Sequence, residues 1–434
     1  MDDKQIVPLL PVTLGRGNVH YAQGVRAGRW VFASGHMAQD FQNGISPDVI
    51  HEKAPHAGLP KREKEMALIF DHIEAVLMEG GTGLGNIVRT DQYYTTVNAV
   101  PPYQATRRKR FGTLIPPSTS IVEKGFVLPG ADINLQAIAV VPSDGFQPEH
   151  LSNPVLAGRP TSGYSPALTV GDFVFLPGVT SMAMGDEKRR NVIAEAARVE
   201  QGMQWGGQPI KLETEFIITQ RIKPSLELAG STLDEIVKVQ VYLTDPEDYS
   251  AFNEAWLEHF SENGPALSII PCATEGLAPI DGTIEINVLA LKTGAATSKQ
   301  QIEAGVFPGF RRQPQAVRAG DLLFLSGLMA IDEDGLVADA RTDPGQPWFS
   351  SSAATQAECI ISNAEKLCSV AGTSLSNAVR IQQFHTDISE FYPVYRTWQK
   401  HLPDTPLPFS AVHVPHPLPV PAATLLMDIW VYAP

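Results

Sequence analysis

The chain has 434 residues, of which 43% are hydrophobic and 18% charged, with a formal net charge of −14. That is ordinary globular composition with apolar material for several cores. The acidic balance argues against a nucleic-acid partner, since phosphate binding needs a basic surface, and no run of about 18 apolar residues is present to span a bilayer. The start, Met1 to Gln5, lacks the basic-then-apolar order of a secretory signal. Cys272, Cys359 and Cys368 are odd in number, and the last two fall on one expected helix, so a disulfide framework is not expected. A reducing, cytoplasmic setting fits.

The first expected strand, Val25 to Gly35 (VRAGRWVFASG), is mostly apolar and turns at Gly28, a pattern suited to burial on both faces. A long polar stretch follows from Gln42 to Arg62. Met66, Ile69, Phe70, Ile73, Val76 and Leu77 then recur at helical spacing and form one apolar stripe. This helix ends at Gly80 and Gly81, because glycine takes the left-handed cap without a Cβ penalty. A strand at 87–95, a second helix and two closing strands at 118–126 and 132–141 complete the unit.

After a Pro/Gly-rich linker, the same order returns. The second unit has a strand at 168–178 (LTVGDFVFLPG), helices at 213–229 and 249–260, and strands at 236–244, 266–271 and 283–291. The third has a strand at 317–327 (VRAGDLLFLSG), a helix at 353–371, and strands at 378–386, 409–414 and 424–432. The period of about 145 residues is the size of a domain and exceeds a solenoid unit. One domain is therefore expected three times, at 1–145, 146–295 and 296–434. Strands with helices on one face read as α+β.

The second unit resembles the RidA/YjgF reactive intermediate (enamine/imine) deaminase family over nearly its full length. The matching pieces are GYSPA at Gly163, VGDFVFLPG at Val170, LELAGSTLDEIVKVQVYLTD at Leu226, the helix with Phe252 and Asn253, and IEIN at Ile284. The other two units match at the same landmarks. The resemblance implies three tandem chorismate-mutase-like units forming an intramolecular pseudo-trimer. Their sheets would surround a central β-barrel, with helices outside and a ligand pocket at each seam. It also implies hydrolysis of enamines or imines without a cofactor or metal, and a small-molecule substrate. A higher homo-oligomer of the fused chain is compatible with it.

In the family, a strand arginine holds the substrate carboxylate, a natural bidentate pairing. Its position reads Thr119, Leu267 and Phe409 in the three units. The family's glutamate reads Asn134, Glu285 and Asp428; its tyrosine reads Tyr21, Tyr164 and Gln313; its asparagine reads Gln104, Asn253 and Tyr395. Loss of the arginine in every unit points away from ordinary 2-imino acids, unless Arg107, Arg108 or Arg311 reaches a pocket from elsewhere. Strand alternation then offers replacements. In the first unit these are His36 and Glu123, with Tyr21 and Thr119. In the second, Glu285 and Tyr164 lie beside Leu267. In the third, His413 and Asp428 are expected to meet as a base and its orienter.

Three functions follow. The first is a deaminase or hydrolase acting on an enamine, imine or amide, with Glu285, Asp428 and His413 catalytic. The second is a non-catalytic ligand binder or chaperone-like protein using the same pockets. The third is a ring-opening cyclic amidohydrolase of the cyanuric acid hydrolase or barbiturase type. That chemistry needs a Ser–Lys pair, for which the first unit offers Ser118, Ser120 and Lys124.

Overall fold

The computed structural model describes the chain apart from residues 1–4, 17, 43, 52, 55, 154, 157–162, 184–191, 261, 262, 308, 311 and 404. Arg311 thus lies outside the described residues. Each repeat builds one mixed sheet. The first has the order Ile6–Leu14, Val19–Ala27, Trp30–His36, Ile133–Val140, Ile87–Tyr94, Ser118–Val122. Only the last pair is parallel. The second and third sheets follow the same plan around Ile236–Leu243 and Ala378–His385.

Two helices pack on one face of each sheet: Lys61–Glu79 with Val100–Phe111, and Ser352–Val370 with Phe391–His401. In the second repeat the long helix begins earlier than its apolar pattern indicates. It runs Gln208–Ile217, widens to a π-turn at Ile218–Ile222, and continues as Lys223–Leu228 before pairing with Tyr249–His259. Pro224 explains the wide turn, since it has no N–H to return to the carbonyl of Gln220.

The strands Ile87–Tyr94, Ile236–Leu243 and Ala378–His385 are buried along their whole length. Each carries a register shift near its start, between Ile87 and Arg89, Ile236 and Lys238, and Ala378 and Arg380. The residue after each shift is basic and faces the other repeats. Arg89 Nη2 lies 2.8 Å from Asp91 Oδ1, and Arg380 Nη2 reaches the other oxygen of Asp91. Lys238 Nζ lies 2.7 Å from Asp428 Oδ2. One layer further along, Gln240 donates to Gln382 at 2.6 Å, and the hydroxyls of Tyr93 and Tyr242 meet at 2.8 Å. The three repeats therefore share one buried polar centre.

The expected closed barrel is not shown. Among the described residues, the ladder remains three separate sheets and a small hairpin. The one ladder crossing is Gly125–Phe126 of the first repeat, which pairs with Phe409–His413 of the third. Elsewhere the seams are crossed by isolated bridges, Tyr21 with Leu407 and Ile115 with Tyr164, and by single bonds such as Gly178 N–H to Ser118 O at 3.1 Å and Gly327 N–H to Leu267 O at 2.9 Å.

Removing one partner of a buried ion pair leaves the other charge uncompensated, at a cost of about 3–5 kcal/mol. Asp428→Ala should therefore destabilise the chain on that scale in urea melts. The double variant Asp428→Leu/Lys238→Met should recover much of the loss. A loss below about 1 kcal/mol in the single variant would show that the centre does not hold the repeats together.

Candidate functional site

The seam positions follow from register. In the parallel pairs, Thr90, Val239 and Ile381 are equivalent, and they stand opposite Ser118, Leu267 and Phe409. The cross-seam bonds agree, because Gly178 and Gly327 donate to Ser118 and Leu267 respectively. The strand-arginine position in the first repeat is thus Ser118, not Thr119. Neighbours on a strand face opposite ways. Thr119 turns inward, where its hydroxyl accepts from Asn287 at 3.2 Å and Arg89 at 3.4 Å. Likewise Tyr93, Tyr242 and Phe384 stand opposite Asn134, Glu285 and Leu426. The glutamate position of the third repeat is Leu426, and Asp428 is equivalent to Gln136 and Asn287.

The seam between the first and second repeats is the ionisable one. Its strand Ser118–Val122 meets Gly178 and Glu285 of the second repeat, and Ile115, just before the strand, bridges Tyr164. A side chain at 178 would overlap the Glu285 carboxylate and crowd Thr119, so only glycine lets these strands approach. Glu285 is 4% exposed, and burial pushes its carboxyl from 4.5 to about 8, although the Ser120 backbone amide opposes the shift. At neutral pH it is a carboxylic acid. Arg107, which is 2% exposed, extends from the helix Val100–Phe111. Its Nη1 donates to Ser118 Oγ at 2.8 Å, and its guanidinium lies 5.2 Å over the Tyr103 ring. A cation thus reaches the strand-arginine position from the neighbouring helix. The equivalent helix residues are the buried Trp256 and Trp398. Glu123 is buried nearby with both oxygens unpaired, and burial raises its carboxyl well above the usual range. Glu123 and Glu285 both add to the upward shift that burial imposes on Cys272.

The other two seams are filled differently. At the third–first seam, Phe409 packs against Tyr21 (5.3 Å), Phe391 (5.1 Å) and Tyr395 (6.1 Å). Tyr21 accepts a bond from Gln39 and belongs to this aromatic cluster, away from Thr119 and Glu123. At the second–third seam, Leu267 of the second repeat accepts from Gly327 of the third, and Asn253 lies on the helix Tyr249–His259 that borders this seam. Tyr249, one turn before Asn253, packs 5.4 Å from Phe310, and Gln313 abuts Gly264. Tyr164 and Glu285 therefore share a seam, and Asn253 stands at a different one.

The expected His413–Asp428 pair does not form. His413 stands opposite His385, whereas Asp428 stands opposite Gln382. Three residues of strand separate them by about 10 Å and put them on opposite faces. His413 Nε2 lies 3.0 Å from Thr386 O. Both Asp428 oxygens are occupied, Oδ2 by Lys238 and by Ser268 at 2.6 Å, and Oδ1 by Trp430 at 3.0 Å. Burial raises the Asp428 carboxyl, but Lys238 and Arg380 outweigh it and hold it low. His36 is buried, bonds the Gln23 carbonyl at 3.0 Å, and is pushed down to about 3 by burial and then by His72. It stays neutral in the core. The Ser–Lys pair is also absent. Ser118 is bonded to Arg107 and Ser120 to Gln92, while the Lys124 side chain is exposed. That arrangement removes the ring-opening amidohydrolase reading.

Comparison with known proteins matches this architecture. The profile of the family described as Endoribonuclease L-PSP matches three times, at residues 16–141, 156–292 and 311–432. A RutC family protein of Pyrococcus abyssi is 32% identical over 136 residues, 31% of this chain and 91% of the relative. The mitochondrial protein MMF1 of Saccharomyces cerevisiae is 28% identical over 137 residues, 32% of this chain and 80% of the relative. Among solved structures, a putative endoribonuclease from Thermotoga maritima has 25% identity and a TM-score of 0.26, covering 34% of this chain and 98% of that one. The chain belongs to the Endoribonuclease L-PSP (RidA/YjgF) family and carries three of its units in tandem.

Proposed function

We propose that the chain is a small-molecule hydrolase of the deaminase type, acting on the C–N bond of an enamine, imine or amide at the first–second seam. The observation that carries this reading is Glu285, a buried carboxyl with its titration moved to about 8, held against the Ser120 backbone amide and beside Gly178 and Thr119. A carboxylic acid at neutral pH can donate a proton to an imine nitrogen. Water then adds to the imine carbon, and the resulting carboxylate accepts the proton that water releases. Collapse of the carbinolamine gives a carbonyl compound and ammonia, which balances the reaction without redox chemistry.

Arg107 has a positioning part in this reading. Its guanidinium stands at the strand-arginine position and favours an anionic group on the substrate. Tyr164 forms part of the outer wall. Thr119 braces the inner side through Asn287 and Arg89 rather than touching substrate. A non-catalytic binder remains the second reading, favoured by the aromatic packing around Phe409 at the third–first seam. A role on nucleic acid is not supported by a net charge of −14. Among the described residues, no helix is long and apolar enough to cross a membrane. The three cysteines are free, which supports the proposed cytoplasmic location.

Glu285→Gln should lower kcat on a panel of small imines by about 100-fold or more, read by trapping the substrate in competition. Wild-type activity that needs the acid form should fall above about pH 8. An unchanged rate in the variant would remove Glu285 from the chemistry.

The same group also sets a pH dependence of stability. The folded carboxyl is raised from 4.5 to about 8, so the folded state holds a proton that the unfolded state has released. Stability is therefore lost as pH rises through that window. Thermal melts should show this decline in wild type and a flatter profile in Glu285→Gln.

Arg107→Met should raise KM for a carboxylate-bearing imine about tenfold or more, the scale of one charge-assisted hydrogen bond. It should leave a neutral enamine much less affected. Equal effects on both substrates would show that Arg107 only supports the helix.

A further inference from the structure

The buried centre that joins the repeats carries more positive charge than negative. Lys238 Nζ donates to three acceptors: Asp428 Oδ2 at 2.7 Å, Leu325 O at 2.7 Å and Ser268 Oγ at 2.9 Å. Only the ammonium form has three protons to give. Asp428 accepts on both oxygens, from Lys238, Ser268 and Trp430, and Asp91 accepts on both from Arg89 and Arg380. A carboxyl that accepts on both oxygens and donates to neither neighbour is ionised. Arg89 and Arg380 are always protonated. Three cations therefore face two anions. Glu285 is near enough to feel Arg89 and Asp91, but at neutral pH it is an uncharged acid.

The surplus charge lies at Arg380. Its Nε donates to Gln136 Oε1 at 3.2 Å, its Nη2 is held by Asp91, and its guanidinium lies 4.9 Å from the Trp430 ring. Its Nη1 is buried with no acceptor among the described residues, and the same holds for Gln136 Nε2. Both orphaned atoms are donors. Arg380 and Gln136 keep 5% and 3% of their surface uncovered, so side chains do not fill all the space around them. An uncompensated buried charge with an unanswered N–H is costly.

We propose that the centre holds a small monovalent anion of chloride size beside Arg380. The anion accepts from Arg380 Nη1 and balances the surplus charge. Gln136 Nε2, on the amide that already bonds this guanidinium, is the second donor at hand. A water molecule would accept from the same groups but would leave the charge unbalanced. Gln136 belongs to the first repeat and Arg380 to the third, so the anion is a structural bridge between them. No strand-arginine or glutamate position contributes to it. The charge count rests on the acid form of Glu285.

Crystals of the full chain grown in sodium bromide test the proposal, because bromide substitutes for chloride and is identified by its anomalous scattering. A peak within hydrogen-bonding reach of Arg380 Nη1 is expected. Gln136→Glu puts a carboxylate where Arg380 Nε already finds its acceptor, so it supplies the missing charge and should abolish the peak. In melts at neutral pH and equal ionic strength, wild type should be about 1–3 °C more stable in chloride than in gluconate, an anion too large for the centre. That difference should vanish in Gln136→Glu and persist in Glu285→Gln. No peak at Arg380 in wild type, a wild-type melt indifferent to the two salts, or a peak retained in Gln136→Glu would each overturn the proposal. A chloride effect confined to Glu285→Gln would also overturn it, by showing that ionised Glu285 is the counterion.

Discussion

The structure depends on a buried charge arrangement where the three repeats meet. Arg89, Lys238 and Arg380 are equivalent residues on equivalent strands, and each follows the same register shift. Three like charges brought together out of water would force the repeats apart. Asp91 and Asp428 prevent this, and each sits on a different repeat from one of the cations it holds. Burial raises both carboxyls, but the neighbouring cations outweigh it and keep them below the usual range. The stability they contribute is present at neutral pH and is lost as pH falls through those lowered values. Five charged groups therefore fix how the sheets sit against each other, and the geometry of every seam follows.

Fusion into one chain lets the seams differ. A homotrimer must repeat one pocket three times, because each residue recurs by symmetry. Here the strand-arginine position is Ser118, Leu267 or Phe409, and the glutamate position is Asn134, Glu285 or Leu426. The first–second seam keeps a carboxylic acid and receives Arg107 from a helix. The second–third seam has a buried leucine at both positions. The third–first seam is packed with rings around Phe409. Asp428, drawn into the central charge arrangement, is committed to Lys238 and Ser268 and has no oxygen left for chemistry.

Much of this was legible in the sequence, for physical reasons. Repeated Gly-bounded apolar strands and Gly-capped helices are local signals, so the three α+β units could be read directly. Pairings such as Arg380 with Asp91 join residues 289 apart in sequence, and no local pattern encodes them. Register was the other weak point. Counting one residue too far placed Thr119 where Ser118 belongs, and a one-residue slip turns a side chain to the opposite face. The slip from Leu426 to Asp428 was two residues, which keeps the face, so alternation could not expose it. The separation of His413 from Asp428 needed both neighbouring strands in register. Arg107 was visible as one of several candidate cations, but the bond to Ser118 that singles it out required the helix to be placed.

The chemistry proposed for the first–second seam depends most directly on the protonation state of Glu285. Carbon-13 NMR of the glutamate carboxyl carbons, followed from pH 3 to pH 10 in wild type and in Glu285→Gln, reads that state at the residue. One resonance titrating near pH 8, as burial of Glu285 demands, and missing from the variant is the predicted result. If the resonance that disappears in the variant instead titrates near 4.5, the ordinary value, the first–second seam is open to water. The carboxylate would then be charged at neutral pH, and the acid chemistry assigned to this seam would be wrong.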